Sequence, residues 1–269
     1  LLVACEEVTG MELDWFFEEW VYKGGEPAYK ISFRDITDDG LGKQPSRYAE
    51  FIVQQTQELS DLTGLPGIGN NQTGSGTEDA FVQSTDKIMA SPAGLWKMPI
   101  WFEVNYTDGT KDRKQVWIQR LTETVRIPIP EGKKIDFALF DPDNQVLKTV
   151  SYPKSFDALK SQALKASSML DRYDALAAMA SIDIERKRDF LISYYNMTDK
   201  SNFHIIKTEI VKHLSRDNDK QSVVIIKKAL TDTDVKVRKS VLDNMKTVPE
   251  ELLPVVEKLL KDPSYEVIV

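Results

Sequence analysis

The sequence predicts a multidomain protein of mixed α and β structure, in which an antiparallel β-sandwich precedes an α-helical repeat domain. Between residues 26 and 152, apolar residues alternate with polar ones, which is the pattern of half-buried strands. From residue 153 onward, apolar residues recur every three or four positions, as they do on amphipathic helices. The length of 269 residues suffices for two domains of ordinary size. We therefore expect a short helical segment at 1–25, the sandwich at 26–152 and the helical domain at 153–269.

The strands of the expected sandwich are short and regularly spaced along the sequence. Three alternating runs predict inward-facing side chains, namely Ile100, Phe102, Val104 and Tyr106, then Val125, Ile127 and Ile129, then Ile135, Phe137 and Leu139. Turn residues separate the runs, and Asp108-Gly109 favours a tight hairpin because both positions tolerate a positive φ. Short strands with such turns between them predict a sandwich. We expect Trp96, Trp101 and Trp117 to fill its core or its edge.

A repeat is visible near the C-terminal end of the sequence. Residues 229–238 align with residues 259–268, so that Asp232 and Asp262 fall in register 30 residues apart. Either Asp232 or Asp234 can cap the second helix of a pair. Helix pairs in such arrays bury their apolar faces against the next pair. The motif resembles that of HEAT repeats, which implies a HEAT-like helical end for the chain.

The densest group of aromatic residues lies near the N-terminus, in the sequence LDWFFEEWVY of residues 13–22. At helical spacing, its apolar side chains form one broad face that consists of Leu13, Phe16, Phe17, Trp20 and Val21. A face this wide has to pack against several neighbours, which favours a core position over a ligand pocket. We expect the segment to fold back onto the sandwich near Trp101 and Trp117, or to pair with another copy of the chain. A separate helix is expected just before it, over residues 1–8.

This aromatic segment resembles the end of the catalytic domain in zinc metallopeptidases of the aminopeptidase N type, a gluzincin aminopeptidase family. In that family a similar helix is followed by a Gly-His-Pro-like turn and by the first strand of a β-sandwich. Gly24-Gly25-Glu26-Pro27 matches the turn, with Glu26 where relatives often carry His, and residues 28–33 match the strand. Further similar positions occur at 54–57 and 97–100, although only the first thirty residues are specific. The resemblance implies that residues 1–25 are the helical remnant of a catalytic domain.

The zinc-binding motif of that family is absent from the sequence. The family binds zinc with H-E-x-x-H on one helix and with a Glu on a later helix. The two histidines here, His204 and His213, are nine residues apart, and on a helix this spacing directs their rings to different sides. We expect both to be solvated or at an edge. We therefore expect no catalytic, cofactor-binding or metal-binding residue in this chain, and zinc is implied only for the full-length parent.

Composition excludes several other classes of function. The net charge of −7 disfavours nonspecific binding to nucleic acid or to anionic membranes. No apolar run reaches the roughly 20 residues that span a bilayer, and we expect a soluble protein whose compartment, cytoplasmic or exported, stays open. The single cysteine, Cys5, excludes an internal disulfide, and we expect it to be a structural thiol. The charged run at 185–189 is typical of a solvated face with local ion pairs.

A glycine-rich stretch interrupts the strands at residues 64–76. Gly67-Ile68-Gly69 would suit a nucleotide-binding loop, but no Lys-Ser/Thr pair follows Gly76. We prefer a long flexible loop that is inserted relative to the family. Residues 64–91 are expected to be mobile, because they offer little apolar area to offset the entropy of ordering.

The sequence leaves two classes of function open. The first is the non-catalytic C-terminal part of a zinc aminopeptidase, which frames the active-site cleft of an enzyme that removes N-terminal residues from peptides. Its partners would be the N-terminal and catalytic domains of the same polypeptide and a peptide substrate. The second is a non-enzymatic scaffold, because relatives with this architecture include transcription scaffolds without the zinc motif. The chain begins at Leu1 inside an apparent helix and ends at Val269 in an apolar run, so we expect a fragment.

Overall fold

The structure is a computed structural model that describes residues 1–22, 25–38, 46–56, 95–198 and 203–268. Within these residues it contains two small β-sheets and about ten helices. The chain divides into two compact units, the β unit at Leu1–Pro153 and the helical unit at Lys154–Val269. The glycine-rich stretch at 64–76 and the rest of the segment expected to be mobile, up to residue 91, lie outside the described residues.

In its described residues, the β unit begins with a short helical segment and continues as seven strands. Helix α1 spans Leu2–Thr9, helix α2 spans Asp14–Phe17, and a π-helical turn at Glu18–Tyr22 follows α2 directly. The strands are β1 (Ala28–Asp38), β2 (Ser46–Gln55), β3 (Met98–Tyr106), β4 (Lys111–Ile118), β5 (Thr122–Pro128), β6 (Ile135–Phe140) and β7 (Thr149–Ser151). Strands therefore occupy the part of the sequence in which apolar and polar residues alternate.

The strands form two sheets. The first sheet has the strand order β5-β2-β1-β7, and the second has the order β4-β3-β6. Neighbouring strands are antiparallel apart from β7, which pairs in parallel with residues 28–30 of β1. The expectation of a wholly antiparallel arrangement is wrong at this position. Strand β7 follows β6, which belongs to the other sheet, and is not joined to β1 by a hairpin. A long crossover of this kind permits a parallel pair.

One hydrophobic core receives side chains from both sheets. The ring of Phe51 in β2 lies 5.0 Å from the ring of Phe102 in β3, and Phe102 lies 5.5 Å from Phe140 in β6. The inward-facing residues predicted for β3 and for the region of β5 are all buried, namely Ile100, Phe102, Val104, Tyr106, Val125, Ile127 and Ile129. The period of two in the sequence thus predicted these core faces correctly.

Strand β6 departs from the predicted pattern. Phe137 and Leu139 are buried, as expected, but the cluster that both sheets share receives Ala138 and Phe140 instead of them. The pairing of β6 with β3 skips one residue, because Ile135 and Phe137 pair with consecutive residues of β3. Such an irregularity reverses the faces on which the later side chains of the strand lie.

The helical unit contains eight helices within the described residues: α3 (Phe156–Lys165), α4 (Met169–Ala178), α5 (Ile184–Met197), α6 (His204–Leu214), α7 (Lys220–Ala229), α8 (Val235–Asn244), α9 (Leu253–Leu259) and α10 (Tyr265–Ile268). Short 3-10 turns lie at Met179–Ser181 and Glu250–Leu252. The core consists of apolar side chains at helical spacing, as shown by the buried Ile206, Ile210 and Leu214 on one face of α6. None of the described helices is long and apolar enough to cross a membrane.

The 30-residue repeat corresponds to two similar turns between helices. Asp232 precedes α8 and accepts a hydrogen bond of 2.9 Å from the N–H of Asp234, and Asp262 precedes α10 and accepts one of 2.8 Å from Ser264. Of the two candidate caps, Asp234 is the N-cap of α8, because its carboxylate accepts from the N–H of Lys236 at 2.7 Å. Asp232 instead orders the turn that leads to this cap.

A basic side chain from another helix binds each of these turn aspartates. Arg238 of α8 donates two hydrogen bonds of 2.8 Å to Asp262 and a third of 2.8 Å to the carbonyl of Asp232. Lys207 of α6 lies 3.0 Å from the Asp232 carboxylate. The side chains of Arg238 and Asp262 are both almost fully buried. Two parallel charge-assisted bonds in a buried setting stabilise a turn more than a surface ion pair does.

Replacement of Arg238 by Met should lower the free energy of unfolding by about 2 kcal/mol, because hydrogen bonds to a charged group are lost. Lys239→Met is the matched control, since Lys239 pairs with Asp243 on the surface at 2.8 Å. A surface pair four residues apart on a helix contributes about 0.5 kcal/mol or less. Urea denaturation followed by circular dichroism measures both variants. Equal losses in the two would contradict the special role of Arg238.

Candidate functional site

The aromatic segment at residues 13–22 lies against the sheets of the β unit. Trp15 of α2 packs edge-on against Trp117 of β4, with ring centroids 5.1 Å apart. Trp20 of the π-helical turn lies 4.8 Å from the ring of Trp96, and its indole Nε1 donates to the sulfur of Met98 at 3.4 Å. Trp96, Met98 and Trp117 together are the docking surface of the aromatic segment. The segment therefore folds back onto the β unit.

The position of this docking surface differs in part from the expected one. The expected contact with Trp117 is confirmed, but Trp96 and not Trp101 receives the ring of Trp20. Met98 belongs to the core face of β3, and Trp101, three residues further on, lies on the opposite face. Of the three tryptophans expected in the core or at its edge, Trp96 is buried in the core and Trp117 is 43% exposed.

The apolar face of the aromatic segment is only partly covered. Phe17 is buried, whereas Phe16, Val21 and Tyr22 are exposed. The expectation that Leu13, Phe16, Phe17, Trp20 and Val21 share one apolar face assumed a regular α-helix through residue 21. The π-helical turn widens the helix after Phe17, so the later side chains shift around its axis relative to α-helical spacing. The segment thus has one side against the docking surface and another side toward solvent.

Polar contacts fix both ends of the segment. The carboxylate of Glu6 in α1 accepts a hydrogen bond of 2.8 Å from the N–H of Leu13, which is the residue just before α2. This contact satisfies an N–H group at a helix start that has no side-chain cap of its own. Glu19 Oε1 accepts a bond of 2.7 Å from the N–H of Lys97, next to the docking surface. The ammonium of Lys97 lies 5.3 Å from the ring centroid of Trp117.

A buried polar pair is electrostatically coupled to Glu19 of this segment. Tyr29 of β1 is 1% exposed, and Asp141, directly after β6, is 2% exposed. Within the described part of the chain, the Tyr29 hydroxyl and Asp141 Oδ1 have no hydrogen-bond partner. Burial raises the pKa of Tyr29, and the negative charges of Glu19 and Asp141 raise it further. The other oxygen of Asp141 accepts from the N–H of Val146 at 3.0 Å and from the ammonium of Lys148.

The two histidines lie on the same helix in different environments. His204, at the start of α6, is partly exposed, and its Nδ1 lies 3.6 Å from the Asp234 carboxylate. His213 is 8% exposed, with its Nε2 2.9 Å from the carbonyl oxygen of Leu176. The expectation of a solvated or edge position is wrong for His213, because a backbone carbonyl of α4 satisfies the buried ring. Among the described residues, no group of three or more His, Cys, Asp or Glu side chains could hold a metal ion.

The burial of Lys187 was not predicted from the sequence. The charged run at 185–189 indicated a solvated face, but Lys187 is 4% exposed and donates to the Met179 carbonyl at 2.6 Å. Its neighbour Arg188 forms two bonds to Asp217, at 2.6 and 3.0 Å. A signal for burial was present, since Lys187 lies four residues before Leu191, and both therefore lie on the same face of α5.

Comparison with known proteins adds a weak structural similarity to solved structures. No protein-family model and no curated protein matches the sequence. The crystal structure of Legionella pneumophila aminopeptidase A in complex with aspartic acid is similar to this chain, with a TM-score of 0.43 and 11% sequence identity. The match covers 99% of this chain, which spans only 23% of the length of that aminopeptidase chain. A distant structural neighbour of the chain is thus an aminopeptidase.

Replacement of Trp20 by Ser should lower the free energy of unfolding by about 2 kcal/mol, because the core residues Trp96 and Met98 lose the packing of the half-buried ring. Phe16→Ser is the matched control and should cost less than about 1 kcal/mol, since the Phe16 ring is already exposed. Urea denaturation followed by the fluorescence of the remaining tryptophans measures both changes. A larger loss for Phe16→Ser would show that the segment docks through its other side.

Replacement of Tyr29 by Phe should leave the free energy of unfolding unchanged or raise it by up to about 1 kcal/mol, because a buried hydroxyl without a partner is removed. Tyr106→Phe is the matched control, because the buried Tyr106 donates to Asp112 at 2.7 Å and should cost about 1 kcal/mol to remove. Thermal and urea denaturation compare the two variants. A loss in Tyr29→Phe as large as that in Tyr106→Phe would show that the Tyr29 hydroxyl has a bound partner.

Proposed function

We propose that this chain is the non-catalytic C-terminal part of a zinc aminopeptidase that removes N-terminal residues from peptides. In this proposal residues 1–25 are the end of the catalytic domain, residues 26–152 are a β-sandwich and residues 153–269 are a HEAT-like domain. The observation that carries the proposal is the packing of the aromatic segment against its docking surface. A sequence that resembles the end of a catalytic domain is here bound by two tryptophans to the sheets that follow it.

The contacts of the aromatic segment suit a rigid connection between two domains. Ring contacts at Trp15 and at Trp20 hold α2 and the π-helical turn at two points. The hydrogen bond from the N–H of Lys97 to the side-chain carboxylate of Glu19 adds a directional restraint between the segment and the sheets. The exposed Phe16 and Val21, on the other side, are available to the catalytic domain of the same polypeptide, and burial of each would contribute roughly 1.5–3 kcal/mol. The chain would thereby position the catalytic domain and frame its cleft.

Zinc would be bound by the catalytic domain and not by this chain. A catalytic zinc site needs three protein ligands and an open position. His204 and His213 do not fit such a site, because one ring lies beside Asp234 and the other is buried against the Leu176 carbonyl. The role of this chain in the reaction is therefore to position other groups. It orients the domain that holds the metal, and it bounds the space that admits the peptide.

Two observations support the HEAT-like assignment of the helical unit. Asp232 and Asp262 occupy equivalent turns, each with the same bond to the N–H two residues further on. Each of these aspartates is bound by a basic residue from another helix, which joins successive helices through their turns. Repeats that contact mainly their neighbours form extended surfaces. Such a surface suits a domain that encloses a cleft, and it suits a scaffold as well.

The chain, purified alone, should hydrolyse no aminoacyl substrate and bind no stoichiometric zinc, because it lacks the H-E-x-x-H motif. Fluorogenic aminoacyl amides measure the activity, and elemental analysis after dialysis measures the metal. His204→Gln and His213→Gln are the controls for adventitious binding. One zinc per chain that is lost in either variant would contradict the proposal.

The upstream coding sequence separates the two functional classes. An H-E-x-x-H motif followed by a Glu on a later helix would support the aminopeptidase. An upstream domain of the same architecture without that motif would support the non-enzymatic scaffold. The proposal for the docked segment itself would be contradicted by an upstream sequence that shows no resemblance to a catalytic domain of this family.

A further inference from the structure

Three titratable side chains are buried together in the helical unit, and the proposed function uses none of them. Lys187 of α5 is 4% exposed, and Glu209 and His213 of α6 are 4% and 8% exposed. The Lys187 ammonium lies 3.4 Å from Nδ1 of His213. A buried ammonium is costly unless the atoms around it accept hydrogen bonds. The arrangement of donors and acceptors at this cluster therefore decides whether it is stable.

The contacts determine which nitrogen of His213 carries its proton. Nε2 lies 2.9 Å from the carbonyl oxygen of Leu176, which can only accept, so Nε2 is the protonated nitrogen. Nδ1 then presents a lone pair to Lys187, whose ammonium donates to it and to the Met179 carbonyl at 2.6 Å. Neutral His213 thus helps to hold Lys187 on the 3-10 turn at Met179–Ser181, which connects α4 to α5.

A second proton on His213 is incompatible with this arrangement. The proton would occupy Nδ1, which lies 3.4 Å from the Lys187 ammonium. Two positively charged donors would then face each other, with no acceptor between them. Lys187 has a long flexible stem and can move away, whereas the His213 ring is fixed by its bond to the Leu176 carbonyl.

The charged groups around the pair do not remove this conflict. Four of them act on Lys187 or on His213, namely Asp183, Glu209, Lys212 and Arg216. Glu209 lies 3.6 Å from Nε2 of His213, on the side away from Lys187, and both of its oxygens bind the Lys212 ammonium. Asp183 and Arg216 act on Lys187 with opposite signs. The repulsion at Nδ1 of protonated His213 therefore depends on Lys187 and His213 themselves.

We propose that Lys187 and His213 form a pH-sensitive switch, in which protonation of His213 displaces the Lys187 ammonium from the Met179 carbonyl. The connection between α4 and α5 then loses the side-chain bond that holds its 3-10 turn to the first turn of α5. The apolar core of the unit stays in place, because its packing does not involve the ammonium. Acidification loosens this connection, and a return to neutral pH restores it.

The pKa of His213 agrees in direction with this switch. Burial lowers the pKa from its ordinary value of 6.5, and Lys187 and Lys212 lower it further against the opposing effects of the Leu176 carbonyl and Glu209. An unfolded chain takes up the proton as the pH falls through about 6.5, and the folded chain resists it. The contribution of neutral His213 to stability is therefore complete above that pH. It is lost as the pH falls toward the lower pKa of the folded state.

Nitrogen-15 NMR of the imidazole rings in the full chain tests the first step of the switch. The chain has two histidines, so His204→Gln assigns the signals of His213. At neutral pH, we expect the proton on Nε2 of His213. Lys187→Met should raise the titration midpoint of His213 by about one pH unit, because a like charge is removed, and Lys239→Met should leave it unchanged. The proposal would be overturned by a proton on Nδ1 at neutral pH, or by a His213 titration midpoint that is unchanged in Lys187→Met.

Amide hydrogen exchange tests the loosening of the connection. Protection at residues 179–188 should fall about tenfold between about pH 7.5 and about pH 5, after correction for intrinsic rates, with a smaller change in α8. His213→Gln can still donate to the Leu176 carbonyl but cannot gain a charge, so it should abolish this pH dependence. A pH dependence that persists in His213→Gln, or that is equal in α8, would overturn the switch. If His213→Gln fails to fold, the tautomer and midpoint in the native chain decide the matter.

Discussion

In the β unit, the carboxylate of Glu50 lies between the guanidinium groups of Arg34 and Arg126, which belong to the two neighbouring strands. The three residues pair directly across β1, β2 and β5, and a slip of one position would direct the buried carboxylate into the apolar core. The same requirement, that a buried charge has a fixed partner on an adjacent element, acts in the helical unit. There Arg238 and Asp262 determine how α8 meets the turn before α10. Apolar burial drives both units to fold, and the paired charges fix their registers.

The sequence predicts features that leave a periodic signal and misses those that depend on a distant partner. Burial of one sheet face imposes a period of two, so the core faces of β3 and β5 were predictable. The skipped residue in β6 arises from its pairing with β3 and leaves no local pattern. In the aromatic segment, the helical period predicted the burial of Phe17 and the docking of Trp20. The same period placed Val21 on the face of Phe17, whereas Val21 is exposed, because a π-helical turn changes the period after Phe17.

The charged residues of the helical unit also fall into two groups, those that leave a signal in the sequence and those whose partners are distant. Asp232 was recognisable from the sequence because it recurs 30 residues later, as Asp262, in an equivalent turn. The sequence instead placed Lys187 on a solvated face, as part of a charged run, and His213 in solvent or at the edge of a helix face. Their partners are the carbonyl oxygens of Met179 and Leu176, and a backbone acceptor is present at every residue and therefore gives no sequence signal. The candidate switch could be found only once the helices were placed against one another.

The two kinds of buried charge in the helical unit differ in how they respond to pH. The hydrogen bonds from Arg238 hold the pKa of the Asp262 carboxyl below its ordinary range, and a guanidinium stays charged at every accessible pH. This pair therefore keeps both charges to a lower pH than an aspartate with an ordinary pKa would allow. Lys187 has a histidine as its partner, and histidine is the side chain that gains a proton just below neutrality. A fall in pH to the lowered pKa of His213 thus acts on the connection between α4 and α5, while the turn that Arg238 holds keeps its geometry. The helical unit can therefore change at one connection without losing the charge pairs that fix its repeat.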